Sequence, residues 1–437
     1  MVLKLYNTLT RKRETFKSIK KGEVGIYVCG PTVNGVPHLG HARSQITFDV
    51  LRRYLIYSNY KVKFVSNITD IDDKIINKAN ELGIDIKELT RKNLLEHLQD
   101  YSALGVMKPD FQPKATEYVK QMIELIKLLD SKGYAYVGDD GVYFDISKFK
   151  KYGKLSGQKI ENLQMGKRIA GKSNHDFVLW KFSKEGEPSW NSPWEKGRPG
   201  WHIECSAMSN SILGMPFDIH GGGQDLIFPH HEDEIAQSEA GYGTKFANYW
   251  VHNGMVNVDK IKMSKSLGNF KTIKDLLKEY SGEIIRYFVI SNHYRKPVDF
   301  SRKTLENAKV AYQRLKNIIS ELEEDKVANK IYLKAFEDAM NDDLNTPKAL
   351  QVLWKLVRDK NAKGKYSTIK KMDEVLGLKL LEKEEIGVPD DILEIVKLRE
   401  VARAKKDWKE SDALREVLKK EGYLVDDTDE GSKVKLG

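Results

Sequence analysis

Gly25-Ile26-Tyr27-Val28-Cys29, followed shortly by His38-Leu39-Gly40-His41, is the most informative stretch of this chain. The first five residues read as a strand. Apolar residues at Ile46, Val50, Leu51 and Tyr54 continue the second string as a helix. The order is therefore strand, turn and helix, with imidazoles at the helix start. A helix N-terminus has free backbone N–H groups and a partial positive charge, so it holds phosphate. Much farther along stands a lysine loop, Lys262-Met263-Ser264-Lys265-Ser266. Two histidine donors, His38 and His41, with two point charges, Lys262 and Lys265, suit a triphosphate whose charge must be held while one P–O bond breaks.

The chain has 437 residues, enough for about three domains by length. Its 73 Lys and Arg against 63 Asp and Glu leave a charge of +10, which suits a polyanionic partner. No apolar run is long enough to span a bilayer, and Met1-Val2-Leu3-Lys4-Leu5-Tyr6 does not open a signal peptide. A soluble, cytoplasmic protein with no membrane partner is expected. Only Cys29 and Cys205 are present, and a reducing compartment disfavours a disulfide between them.

The neighbours of these cysteines point to metal. Cys205 lies in Gly200-Trp201-His202-Ile203-Glu204-Cys205, and downstream comes Phe228-Pro229-His230-His231-Glu232-Asp233-Glu234. Pro229 fits the first turn of a helix, which places His230 and Glu234 on one face at i and i+4. Cys29, Cys205, His230 and Glu234 then form a set of two sulfurs, one nitrogen and one oxygen suited to Zn2+. His231 and Glu234, at i and i+3, offer an alternative convergence.

HLGH and KMSKS resemble the paired HIGH and KMSKS signatures of class I aminoacyl-tRNA synthetases. The resemblance sharpens at Cys29-Gly30-Pro31-Thr32-Val33, Asn67-Ile68-Thr69-Asp70-Ile71-Asp72-Asp73-Lys74, Trp201–Cys205, the FPHHE run, Asp176–Lys181 and Gly221-Gly222-Gly223-Gln224-Asp225. Together these are similar to the cysteinyl-tRNA synthetase family over nearly the whole chain. The resemblance implies an α/β fold, a doubly wound Rossmann-type parallel sheet with a connective insert, then a helical bundle and a small anticodon-binding domain. It implies one zinc ion on Cys29, Cys205, His230 and Glu234, ATP with Mg2+, L-cysteine, and tRNA(Cys). Zinc prefers thiolate over a neutral alcohol, so it would separate cysteine from serine without an editing domain.

Under the same resemblance, His38, His41, Lys262 and Lys265 are the catalytic group. They bind ATP together with His220, Gly221, Gly222 and Asp225. The glycines serve either close approach to a base or ribose or a tight strand-to-helix turn. Cys29, Thr69 and Trp201 are expected to line the amino-acid pocket, Trp201 being equally readable as core. Asp70, Asp72 and Asp73 read as helix capping and polar support. Asn34 and Val434 depart from the family's usual tyrosine and tryptophan.

The expected organisation is 1–112 and 196–250 for the two halves of the catalytic sheet, with the insert at 113–195. Residues 251–305 form the lysine loop and stem-contact region, 306–385 the bundle, and 386–437 the anticodon-binding domain. Ala115 to Leu129 reads as a helix, Tyr134–Val137 and Val142–Ile146 as short strands, and Lys150–Gly200 as loop-rich. Thr346-Pro347 reads as a hydroxyl cap with proline at the first helical position. Lys397, Arg399, Arg403, Lys405, Lys406 and Lys409, with Trp408, read as one basic helical stretch for RNA phosphates. A monomer is favoured over a homo-oligomer. Two other readings compete: a ligase joining activated cysteine to an amino sugar, and a noncatalytic RNA-binding relic.

Overall fold

Four parallel strands form the central sheet of the computed structural model, which describes residues 2–158, 175–258, 261–262, 271–382, 389–428 and 431–436. Their spatial order is Ala247–Asn253, Phe217–Gly223, Glu23–Val28, Lys61–Ser66. The strands are apolar on both faces because helices cover both. Ile26, Val28, Phe64, Ile219 and Val251 pack with Ile46, Phe48 and Leu51 of the helix Leu39–Tyr57. Tyr27, Val65 and Trp250 face the other way, toward Ile203 of the helix Trp201–Leu213 and Ile235 of the helix Glu232–Tyr242. From Glu23–Val28 the chain continues to a neighbour on one side and later returns on the other. The strand order therefore reverses between Glu23–Val28 and Phe217–Gly223, and a crevice for a ligand opens at their carboxyl ends.

The insert is a four-stranded antiparallel sheet, in the order Ala135–Val137, Gly141–Phe144, Phe177–Phe182, Gly197–Pro199. The loop-rich reading of Lys150–Gly200 thus misses two strands. Phe177, Leu179 and Trp180 are buried and anchor one of them. The expected helix from Ala115 is a short 3-10 turn, Ala115–Glu117, followed by the helix Val119–Ser131.

Helices Arg302–Ser320, Lys330–Asn341, Thr346–Arg358 and Lys365–Leu376 make the bundle. The cap of the third is Asn345, whose side chain accepts from the Lys348 N–H at 3.2 Å, one residue before the expected Thr346. Proline is tolerated one position further in because that N–H has no intrahelical partner either. Bundle and sheet meet at Arg286, on the helix Gly282–Ile290, whose side chain is fully buried. Its guanidinium pairs with Asp49 and donates to the carbonyls of Leu376 (2.6 Å), Leu104 (3.3 Å) and Gly105 (3.3 Å). Arginine suits this place, since one rigid fork serves several acceptors.

Contacts divide the chain into Met1–Leu381 and Glu382–Gly437. The second unit holds the helices Asp390–Ala404 and Trp408–Lys420 and an antiparallel hairpin of Tyr423–Thr428 with Gly431–Leu436. The expected single basic helix is two helices, separated where Lys406 takes φ 60°. Arg399 is buried and bidentate to Asp427 at 2.7 and 3.0 Å, and Arg403 reaches the same carboxylate at 2.9 Å. Those two charges hold the hairpin. Val434 pairs with Val425 and packs against the small core of Ile392, Val396, Leu418 and Val425.

Candidate active site and metal centre

A cleft of about 580 Å³ opens at the strand ends, lined among others by Cys29, His38, His41, Trp201, Gly223 and Asp225. The helix Leu39–Tyr57 begins here, and its histidines form a reciprocal capping box. His38 Nδ1 accepts from the N–H groups of Gly40 (3.1 Å) and His41 (3.4 Å), while His41 Nδ1 accepts from the His38 N–H at 3.2 Å. The three-residue spacing is that of S/T-x-x-E, with imidazoles doing both jobs. Because each Nδ1 accepts, each neutral ring carries its proton on Nε2. The rings stack at 3.8 Å. The result is two N–H donors at a positive helix end. Leu39 is buried, which explains why a branched aliphatic residue stands between the histidines.

The segment after the lysine loop is stitched to this cap. Leu39 N donates to Lys271 O at 3.0 Å and Ile273 N to Pro37 O at 3.1 Å. Lys262 lies in the short strand Ile261–Lys262, paired with Asn257. Lys265 lies outside the described residues.

Beside the cap the chain brings four donors together. Cys29 Sγ is 3.5 Å from Cys205 Sγ, 3.6 Å from His230 Nε2 and 3.3 Å from Glu234 Oε1. Cys205 Sγ is 3.7 Å from His230 Nε2, which is 2.8 Å from Glu234 Oε1. A tetrahedral zinc with Zn–S of about 2.3 Å and Zn–N or Zn–O of about 2.0–2.1 Å has ligand–ligand edges of about 3.4–3.8 Å. Four of the five separations lie at or within about 0.1 Å of that range, so the donor set fits the ion. The protonation tendencies agree. Burial raises Cys205, but bonds with Cys29 and His230 outweigh it and lower the thiol. Burial likewise opposes ionisation of Glu234, and His220 and His230 overcome it. The Cys29 thiol is pushed well up, first by burial and then by the neighbouring Cys205 and Glu234. A dication is the charge this cluster lacks. Three of the donors are buried and Cys29 is half-buried on the cleft wall, so the cluster has one approachable side.

The i, i+4 pairing of His230 with Glu234 is the one that forms. Phe228 has extended angles (φ −140°, ψ 133°), and the regular helix runs Glu232–Tyr242. His231 turns toward the sheet instead, its Nδ1 2.8 Å from His252 Nε2. His231 also lies within reach of Cys29, His220 and Glu234.

Several expected ligand contacts fall elsewhere. His220 is fully buried, its Nε2 2.6 Å from Glu234 Oε2, so it braces a cluster carboxylate and does not wall the cleft. Gly221 and Gly222 are buried within their strand. A Cβ on Gly221 would lie 2.2 Å from the Phe48 ring, and one on Gly222 would lie 3.0 Å from the His231 ring. Both glycines admit close packing on opposite sheet faces. Gly223 and Asp225 do reach the cleft. Thr69 is buried, and its hydroxyl donates to Glu204 Oε2 at 2.6 Å, away from the cleft wall. Trp201 stacks on His230 with ring centroids 4.1 Å apart. Asp72 caps the helix Asp73–Leu82, Asp70 accepts from Thr116, and Asp73 pairs with Lys181 and Arg198. Lys74, Tyr101, Asn253 and Gly254 also line the cleft, together with Asn34. Asn253 and Gly254 sit at a strand's carboxyl end beside the switch point, a position from which sequence reasoning could have found them.

Comparison with known proteins agrees with this arrangement. The family model "tRNA synthetases class I (C) catalytic domain" matches residues 15–310, a DALR domain matches 335–381, and a cysteinyl-tRNA ligase anticodon binding domain matches 386–434. The cysteine–tRNA ligase of Vibrio atlanticus (strain LGP32) is 46% identical over 456 residues, covering 99% of both chains. That of Histophilus somni (strain 2336) is 45% identical with the same coverage. Methionyl-tRNA synthetase of Mycobacterium tuberculosis bound by methionyl-adenylate shares the fold at 14% identity, with a TM-score of 0.61 over 82% of this chain and 90% of that one. Among the described residues no helix is long and apolar enough to cross a membrane. With the four-donor cluster and the histidine cap on one cleft, and these matches running end to end, the chain belongs to the cysteinyl-tRNA synthetase family of class I aminoacyl-tRNA synthetases.

Proposed function

We propose that this chain joins L-cysteine to tRNA(Cys) in two steps, through cysteinyl-adenylate. The observation that carries the reading is the shared cleft: Cys29, one donor of the four-residue cluster, and the capping histidines His38 and His41 line the same cavity. In the first step the cysteine carboxylate attacks the α-phosphate of ATP, and pyrophosphate leaves. His38 and His41 donate Nε2–H to the phosphates from the helix start, and Lys262 and Lys265 neutralise the charge that develops as the P–O bond breaks. Asp225 and Gly223 hold the nucleoside end. Cys29, Cys205, His230 and Glu234 would hold Zn2+, which would supply a Lewis acid with a preference for thiolate over alcohol. Trp201, stacked on His230, walls the amino-acid side. Mg2+ accompanies ATP. In the second step the 2′-hydroxyl of the terminal adenosine attacks the cysteinyl carbonyl, and AMP leaves.

The anticodon-binding match at 386–434 favours tRNA over an amino-sugar acceptor, which offers nothing for such a domain to read. The protein works as a cytoplasmic monomer in this reading. The test is charging of total tRNA with labelled cysteine and, separately, labelled serine, using zinc-loaded and chelator-stripped protein. Cysteine should be charged and serine rejected, and stripping should abolish charging. Cysteine-dependent pyrophosphate exchange without tRNA charging would move the acceptor to a small amine. Unchanged selectivity after stripping would remove zinc from recognition.

A further inference from the structure

A line of polar groups runs from the cluster out to the insert. His230 Nδ1 is 2.9 Å from His202 Nδ1, His202 Nε2 is 3.3 Å from Asp233 Oδ2, and Asp233 Oδ1 accepts from the Tyr152 hydroxyl. His202 and Asp233 are buried. Tyr152 belongs to the insert, far in sequence from the others.

The hydrogen-bond directions along this line follow from chemistry alone. His230 presents Nε2 to the cluster, so as a neutral ligand it keeps its proton on Nδ1. That N–H must donate to His202 Nδ1, which leaves the His202 proton on Nε2, directed at Asp233. The carboxylate accepts from His202 with one oxygen and from Tyr152 with the other. Every donor meets an acceptor, and only one arrangement of protons does this. It is the carboxylate–histidine–metal arrangement extended by one imidazole.

Resting on the metal reading above, we infer that His202, Asp233 and Tyr152 are positioning residues that lock the tautomer and ring plane of His230, so that the insert helps to set zinc affinity. A separate clamp holds the same insert turn on the same helix. Glu232 accepts from the N–H groups of Leu155 (3.1 Å) and Ser156 (2.8 Å), and Lys154 meets Glu239 at 2.5 Å. The clamp does not touch His230 and so provides the control.

The experiment measures Zn2+ affinity of the full chain by competition with a chromogenic chelator, together with the visible spectrum of the Co2+-substituted protein. Asp233→Asn should bind zinc about 10–100-fold more weakly, the usual effect of losing such a partner, and should shift the cobalt spectrum. Tyr152→Phe, which removes one hydroxyl, should move both readouts in the same direction by less. Lys154→Ala should leave both unchanged. Zinc affinity unaltered in Asp233→Asn and Tyr152→Phe overturns the inference while leaving the metal site intact. Equal weakening in Lys154→Ala overturns it in favour of a simple clamp. Wild-type protein that takes up no zinc overturns the metal reading and the relay with it.

Discussion

The four-donor cluster and the histidine cap both take residues from just beyond the strand Glu23–Val28, yet they are held by opposite means. The cluster draws its residues from three distant parts of the chain and fixes them with buried partners: His220 on Glu234 and His202 on His230. The cap is local. Four consecutive residues and their own backbone orient both imidazoles. A site that must tell sulfur from oxygen is surrounded by buried polar support. A site that must hold a flexible triphosphate needs only two donors and a helix end.

That contrast can be broken from either side. Cys205→Ala should have the largest effect. One ligand in four carries roughly 3–4 kcal/mol of a zinc affinity of about 10–16 kcal/mol, so metal should be held about 10²–10³-fold more weakly. Chelator competition measures this, and cysteine-dependent pyrophosphate exchange should be lost with it. Metal retained at wild-type affinity would show that the cluster is not the zinc site. Next comes His38→Asn. Asparagine caps a helix as well as most residues do, so thermal stability should change by no more than about 1 kcal/mol. Adenylate formation should nevertheless fall about 100-fold through loss of the Nε2–H donor. If stability and activity fell together, the histidine would be only a cap. The smallest effect is expected for Gly221→Ala, where the new methyl meets Phe48. Stability should drop by about 1–3 kcal/mol with zinc affinity unchanged, and Phe48→Leu in the same chain should recover part of the loss. A loss confined to ATP binding would restore the glycine to the nucleotide site.

The local site was therefore legible and the distant one only in part. His38 and His41 announce a helix start by their three-residue spacing, and His230 with Glu234 follows from helical geometry. The choice between His230 and His231 depended on His252, which lies on another strand and which no local pattern places. His220, Gly221 and Gly222 pack into the sheet because a central strand sends alternate residues to opposite buried faces, and the sequence does not reveal that Phe48 and Glu234 wait there. Arg399 looked like an RNA contact until Asp427 on the hairpin proved to be its partner. Asn345 took the cap assigned to Thr346 because both residues before Pro347 are capping types and propensity alone does not choose between them.

Arg286 has a consequence for how the chain is made. Its acceptors come from residues 49, 104, 105 and 376, so this buried cation has its full set only after Leu376 has left the ribosome. Every strand of the sheet is synthesised long before that point. At about 5–20 residues per second, the nascent sheet waits several seconds between the emergence of Arg286 and the arrival of its last acceptor. During that interval the seam where the bundle will dock is exposed, and it is there that a chaperone would find this protein.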